Sequence, residues 1–240
     1  FLERPPAVRV LVEGRVRLER GGVLVGGVDY PAVERPAGQV VLEGRLRAAI
    51  KRLNPWLTDT NLQQAVREIR HVTGTNTMAE NEAIHELLVR HTTVEQDRGH
   101  GKKHQTVNYI DFDNPENNDF FALNQFPIEG PRETIIPDIV LFVNGLPLGV
   151  IECKAPTVAE PRSKALDQLT RYQNERGGGR EGAEELFRYN QFSVATWYEG
   201  AVMGTYGTPP SQYKRWQDAY PLNDENLVDR FDLDGYLPPQ

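Results

Sequence analysis

Glu152 and Lys154 stand two residues apart on either side of the chain's single cysteine, Cys153, and upstream of them Asp138 follows Pro137. On a strand, side chains two apart leave the same face, so Glu152 and Lys154 point together while Cys153 points to the other side, into the core, where its thiol is inert. Two carboxylates and an ammonium converging at a strand end suit metal-assisted phosphodiester hydrolysis. Magnesium takes hard oxygen ligands and keeps several waters, so Asp138, Glu152 and the main-chain carbonyl of Cys153 suffice as protein ligands. The ion supplies Lewis acidity, and the lysine orients the nucleophile or stabilises charge in the transition state. The plainer reading of Glu152 and Lys154 is a surface salt bridge of little energetic consequence.

The elements that must bring these groups together are legible around them. "DIVLFV" and "LGVIECK" are apolar runs separated by "NGLP", and an Asn-Gly pair between two such runs signals a hairpin. A four-residue loop, Asn144 to Pro147, would pair Val143 with Leu148 and set Asp138 opposite Cys153. Placing Asp138 on the face of Glu152 requires a loop one residue different or a bulge. The next element, "SKALDQLTRYQNE", is helical, with Gln168 and Tyr172 at i, i+4 on one face and Ala165 and Leu169 available for packing. That face is aimed at a polar site or a DNA backbone, the alternative being a buried tyrosine with its hydroxyl at the edge.

Further upstream the apolar period is helical. Leu46, Ala49, Ile50 and Leu53 form one stripe ending before Asn54-Pro55. Leu62, Ala65, Val66 and Ile69 form a second after the capping candidates Thr58, Asp59 and Thr60, and Ala83, Ile84, Leu87 and Leu88 form a third. "EQDRGHGKKH" reads as a loop, "TVNYIDF" and "FFALNQF" as strands, "GGGREG" as a flexible connector, and "QFSVATWYE" and "AVMGTY" as two more strands. Residues 1–38 are glycine-rich and strand-like, with no helical stripe. Helices, then a meander of strands, then a helix and further strands predict an α/β fold with a mixed central sheet flanked by helices.

The 240 residues carry 27 Lys+Arg against 34 Asp+Glu, a net charge of −7, with 39% hydrophobic and 25% charged residues. That suits a globular chain, argues against disorder, and gives no bulk attraction to nucleic acid. No apolar run approaches the ~18 residues of a membrane span, and no secretion leader is visible. Phe1 rather than Met at the start points to a trimmed or partial polypeptide. One cysteine excludes a disulfide framework and a multi-cysteine zinc site, and points to a reducing compartment. Asp111, Asp113, Glu116 and Asp119 in "IDFDNPENND" fail the calcium-loop pattern, because Pro115 interrupts it, and suit a turn. Arg98, Lys102, Lys103 and His104 form a basic loop, solvated or touching phosphates. Arg171, Arg176 and Arg180 beside Gln168 and Tyr172 are better placed for DNA backbone contacts.

"PDIVLFVNGLPLGVIECKAP" followed by "DQLTRYQNE" resembles the N-terminal nuclease domain of the R (restriction) subunit of type I restriction-modification enzymes, a member of the PD-(D/E)xK nuclease superfamily. The likeness runs from "VLEGRLRAAIKRLNP" through "IDFDNPENNDFFALNQF" to "KRWQDAYPL". It implies a restriction-endonuclease-like core and a magnesium-dependent endonuclease cutting double-stranded DNA, with Asp138, Glu152 and Lys154 at the metal-binding and catalytic positions. Gln168 and Tyr172, with Arg171 between them, match a Gln-x-x-x-Tyr signature that holds DNA or orders the site. The resemblance also implies modification and specificity subunits as partners, an ATP-driven translocase on the same polypeptide, and a prokaryotic cytoplasmic location. No G-x-x-x-x-G-K-[ST] loop is present, so any motor is expected beyond residue 240. A single nuclease domain over 1–240 follows, with a poorly matched segment 1–38, a core 39–222 and the start of a linker at 223–240. In the family a leading helix supplies a further acid. Here Glu80, with Glu82 and Glu86 on the same helix, is the candidate substitute, a solvated or capping carboxylate being the other reading. A catalytically silent scaffold of the same fold is the alternative function.

Overall fold

In the computed structural model, residues 39–155, 157–174, 181–197 and 200–215 are described, together with the backbone of three short strands, β1 (Arg17–Glu19), β2 (Gly22–Val25) and β3 (Val28–Asp29). These three form a small antiparallel meander in the segment expected to be strand-like. The "GGGREG" connector up to residue 180, Arg176, Arg180 and the supposed linker 223–240 lie outside the described residues.

The three upstream stripes fold as helices. In α1 (Glu43–Leu53), Leu46, Ala49 and Ile50 are buried, and Asn54 ends the helix with its main-chain N–H on the Ile50 carbonyl. In α2 (Asp59–Arg70), the Thr58 side chain caps the first turn by accepting the Asn61 N–H. In α3 (Thr77–Arg90), Asn76 does the same for Ala79, while Ile84 and Leu88 face inward. Each fully buried leucine or isoleucine on these stripes contributes about 2 kcal/mol, far more than helix propensity supplies.

The basic loop is instead a hairpin of β4 (Thr92–Asp97) and β5 (Lys102–Val107), and "TVNYIDF" continues as strand only to Val107. The inward positions of β4 are Thr92, Val94 and Gln96, so its alternation is mostly polar and hides from a hydrophobicity reading. Gln96 reaches the Trp56 carbonyl, and Thr92 donates to Glu68. Beyond it the acidic stretch is a self-bonded loop with a 3-10 turn at Pro115–Asn117. Asp111 accepts from the Asn114 N–H and the Asn117 side chain, which agrees with a turn role.

The main sheet is built from β6 (Phe120–Asn124), then, after the small ribbon of β7 (Ile128–Glu129) and β8 (Thr134–Ile135), from β9 (Ile139–Val143) and β10 (Leu146–Lys154). α4 (Pro161–Tyr172) and α5 (Glu184–Tyr189) then carry the chain over to β11 (Phe192–Trp197), β12 (Gly200–Gly204) and the edge strand β13 (Lys214–Arg215). The order is β13-β12-β11-β10-β9-β6, with β10 and β11 parallel and every other pair antiparallel. This is the expected α/β fold, a mixed six-stranded sheet flanked by helices and compatible with a restriction-endonuclease-like core. Helices α1 to α5 all contribute to a large core on one face, with Val140, Phe142 and Val150 from the sheet. Ala122, Ile139, Ile151 and Val194 form a smaller cluster on the other.

The hairpin register differs from the four-residue loop. Val143 pairs with Leu146 directly, so the turn is Asn144-Gly145 alone, with φ of 52° and 80°, the double left-handed geometry of a type I′ turn. Gly145 is required twice over, because a Cβ there would also lie 2.5 Å from the Leu42 carbonyl oxygen. The pairing then shifts by one residue between Pro147 and Gly149, a bulge that leaves Ile139 opposite Ile151. At the bulge the Leu148 carbonyl accepts the Gln191 N–H at 2.7 Å, so that carbonyl is not orphaned. Asn144 anchors the turn. Fully buried, it donates to the Tyr109 carbonyl and Asn118 Oδ1, both at 2.8 Å, and accepts from the Asp119 N–H and Arg52. Asn144→Ala strands these partners and leaves alanine in a left-handed conformation, so urea denaturation is expected to show a loss of about 3 kcal/mol.

Candidate functional site

Asp138 and Glu152 each stand one residue beyond the Ile139–Ile151 pair, so the two acids oppose one another across β9 and β10. Ile139 and Ile151 pack in the smaller cluster, so by alternation both acids turn to the helix-covered face, where α4 packs on β10 and β11. Cys153 faces the smaller cluster as expected. Burial, with Asp138 second, pushes its thiol up to about 12, which keeps it protonated and unreactive.

Glu152 is 1% exposed. Its Oε1 accepts from Lys154 Nζ at 2.6 Å, whereas Oε2 is buried with no hydrogen-bond partner. Burial first, and the neighbouring Asp138 carboxylate second, push the Glu152 carboxyl up to about 8, against the pull of the Lys154 ammonium. This is no surface salt bridge.

Lys154 is held from two sides, because its Nζ also donates to Gln168 Oε1 at 2.7 Å. Gln168 Nε2 donates in turn to the Tyr172 hydroxyl, which donates to the Ile136 carbonyl at 3.3 Å. Burial holds the Tyr172 phenol up at about 12, so it stays a donor. The expected one-turn pair on α4 therefore closes a chain from Glu152 through Lys154, Gln168 and Tyr172 to the main chain two residues before Asp138. Tyr172 itself is 1% exposed, so its ring is core and only its hydroxyl serves the site. The segment at residues 181–183 closes on the end of α4: a Cβ on Gly182 would lie 2.0 Å from the Tyr172 carbonyl oxygen, which also accepts the Ala183 N–H at 3.1 Å.

The remaining candidates are placed differently. Arg171 donates to Glu133 at 2.8 Å, and its guanidinium lies 5.1 Å from the Tyr172 ring centroid, at the border of the site. Glu80 does not join Asp138, Glu152 and Lys154. Its carboxylate pairs with Arg188 Nε on α5 at 2.9 Å, where α3 packs on α5. Glu86 pairs with Arg90, and Glu82 is exposed. Gln125, which the sequence did not single out, donates from its side chain to Asp138 Oδ1 at 2.9 Å and from its main chain to the Asp138 carbonyl at 2.8 Å. Its only signal is cross-strand register. Asp138 Oδ2 accepts the Cys153 N–H at 2.8 Å.

Among the described residues no group of three or more His, Cys, Asp and Glu side chains is placed to hold a metal ion. The pair at hand still fits a small hard cation, since two acids face one another and one buried oxygen lacks a partner. A divalent ion needs only one or two protein carboxylates when substrate oxygens and water complete its shell.

Comparisons with known proteins agree with one another. The model of a family described as the type I restriction enzyme R protein N terminus matches residues 27–212. The chain is 28% identical over 218 residues to the type I restriction enzyme HindI endonuclease subunit of Haemophilus influenzae, covering 88% of this chain and 20% of that protein. It is 26% identical over 200 residues to a putative type I restriction enzyme MjaIXP endonuclease subunit of Methanocaldococcus jannaschii, covering 82% and 18%. The chain thus spans about a fifth of the length of these curated relatives. No helix among the described residues is long and apolar enough to cross a membrane.

The buried carboxyl of Glu152 provides a check that does not depend on these likenesses. In Glu152→Gln the amide oxygen can still accept from Lys154, and its NH₂ can donate toward Asp138. Thermal unfolding without divalent metal is expected to show a gain on the order of 1 kcal/mol, a rise of about 2–4 °C in Tm.

Proposed function

The chain belongs to the family of type I restriction enzyme R protein N termini, and from that premise we propose that it is the Mg²⁺-dependent endonuclease domain that cuts double-stranded DNA within an ATP-dependent type I restriction complex. The observation that carries the reading is the opposed pair Asp138 and Glu152, with Lys154 hydrogen-bonded between Glu152 and Gln168.

Asp138 and Glu152, with the main-chain carbonyl of Cys153, would hold the cation. When bound, it supplies Lewis acidity and neutralises charge on the scissile phosphate. The chain's own groups do the rest. The partnerless Oε2 of Glu152 is a ready acceptor toward that position. Lys154, fixed by two acceptors, presents its ammonium beside the acids, where it orients the attacking water and stabilises charge that develops on the phosphate. Gln168 and Tyr172 hold the lysine in place, a positioning role that agrees with the family signature. Arg171, at the border of the site, is the candidate for a DNA backbone contact. DNA grip is local or shared with partners, since the net charge of −7 offers no general attraction.

The chain covers about a fifth of the relatives' length; in this reading ATP-driven translocation and sequence recognition are the work of other parts of the complex, the modification and specificity subunits among them. The setting is the prokaryotic cytoplasm.

In the full polypeptide assembled with its partner subunits, Asp138→Ala and Lys154→Ala are each expected to lower DNA cleavage by on the order of 10²-fold or more, with assembly intact. Cleavage at the normal rate in both variants would mean the fold serves only as a silent scaffold.

A further inference from the structure

Gln125 is the residue after β6, one step past the Asn124–Ile139 pair, and so stands across from Asp138. It is not packed in the core. Its side chain is exposed, yet its φ is +55°, a left-handed conformation that a non-glycine residue adopts only when something holds it there. Two hydrogen bonds do so, and both end on the same residue. The main-chain N–H reaches the Asp138 carbonyl at 2.8 Å, and the carboxamide Nε2 reaches Asp138 Oδ1 at 2.9 Å.

From the opposite flank the Cys153 N–H reaches Asp138 Oδ2 at 2.8 Å. Each carboxylate oxygen therefore has one donor, one from the end of β6 and one from β10, and two fixed donors define the plane of the carboxylate. A carboxylate has about four lone-pair positions, so each oxygen keeps one for a further ligand. The chemistry of the donor fits the task. An ammonium or guanidinium here would offset the charge a cation needs, whereas a neutral carboxamide orients the carboxylate and leaves its charge intact.

We propose that Gln125 is a positioning residue for Asp138, its carboxamide setting the carboxylate in the orientation that binds a divalent cation. This rests on the nuclease-site reading above. Outer partners of metal-ligating carboxylates act in this way, and their loss weakens metal binding while the fold persists.

Gln125→Gly separates the carboxamide from the backbone, because glycine keeps the main-chain N–H and adopts the left-handed conformation freely. The readout is a Mn²⁺ titration followed by electron paramagnetic resonance on the full chain without nucleotide, with Asp138→Ala as the reference lacking the site. Gln125→Gly is expected to weaken Mn²⁺ binding at the Asp138-dependent site by about 10-fold, with a melting temperature equal to or above that of the parent protein. Unchanged Mn²⁺ affinity overturns the inference. So does weakened binding with a lowered melting temperature, since the residue then serves the fold. If the parent and Asp138→Ala bind Mn²⁺ alike, the nuclease-site reading fails and takes the inference with it. A parent that differs from Asp138→Ala but matches Gln125→Gly sinks the inference alone.

Discussion

A single extra residue in β10 determines whether Glu152 and Lys154 share a face of the sheet with Asp138. Continued without a shift, the register that starts at Val143 and Leu146 would set Asp138 opposite Ile151, and Glu152 and Lys154 would turn to the face away from α4. The bulge between Pro147 and Gly149 moves the pairing by one, and Asp138 arrives opposite Glu152 instead. Everything polar at the site follows from that step. The Cys153 N–H can meet Asp138, Lys154 can lie beside both acids, and Gln168 on α4 can reach Lys154. The bulge is itself held, through the Leu148 carbonyl, by the chain entering β11. The geometry of the acids thus depends on the parallel neighbour as well as on the hairpin.

The site is costly to the fold in a specific way. A carboxyl that burial and a second acid push up to about 8 is an unfavourable group to enclose, and one of its oxygens has no partner. What holds it there is the polar chain running from Lys154 to the Ile136 carbonyl, supported by an apolar surround in which Leu169, Ala165 and the Tyr172 ring are buried. A favourable shell around an unfavourable centre is the arrangement expected when binding something absent from the folded chain relieves the strain.

Much of this was legible in the residues. The period-3.6 stripes, the Asn-Gly turn and the Glu-x-Lys spacing each follow from local geometry, and the one-turn pair Gln168 and Tyr172 on α4 reached the lysine as its spacing allowed. What escaped was long-range or polar. A hairpin loop counted from prolines and glycines overestimates the turn, because Leu146 and Pro147 belong to the strand despite the proline. Strand β4 escaped because it faces the interior with threonine and glutamine. Glu80 was a candidate substitute for an acid that a leading helix would supply, and only packing reveals its pairing with Arg188 on α5. Gln125 has no local signature at all, since its partner lies across a strand pair.

The hairpin of β9 and β10 has its buried anchor and its facing acids at opposite ends. Asn144 and its buried partners fix the turn, while Asp138 and Glu152 sit where the strands open. Genetic lesions at the two ends are therefore of different kinds. Damage at the turn raises the unfolded fraction and lowers the abundance of the protein in the cell, a recessive and temperature-dependent defect. On the nuclease reading proposed above, damage at the open end leaves a well-folded, even hardier chain that lacks the activity.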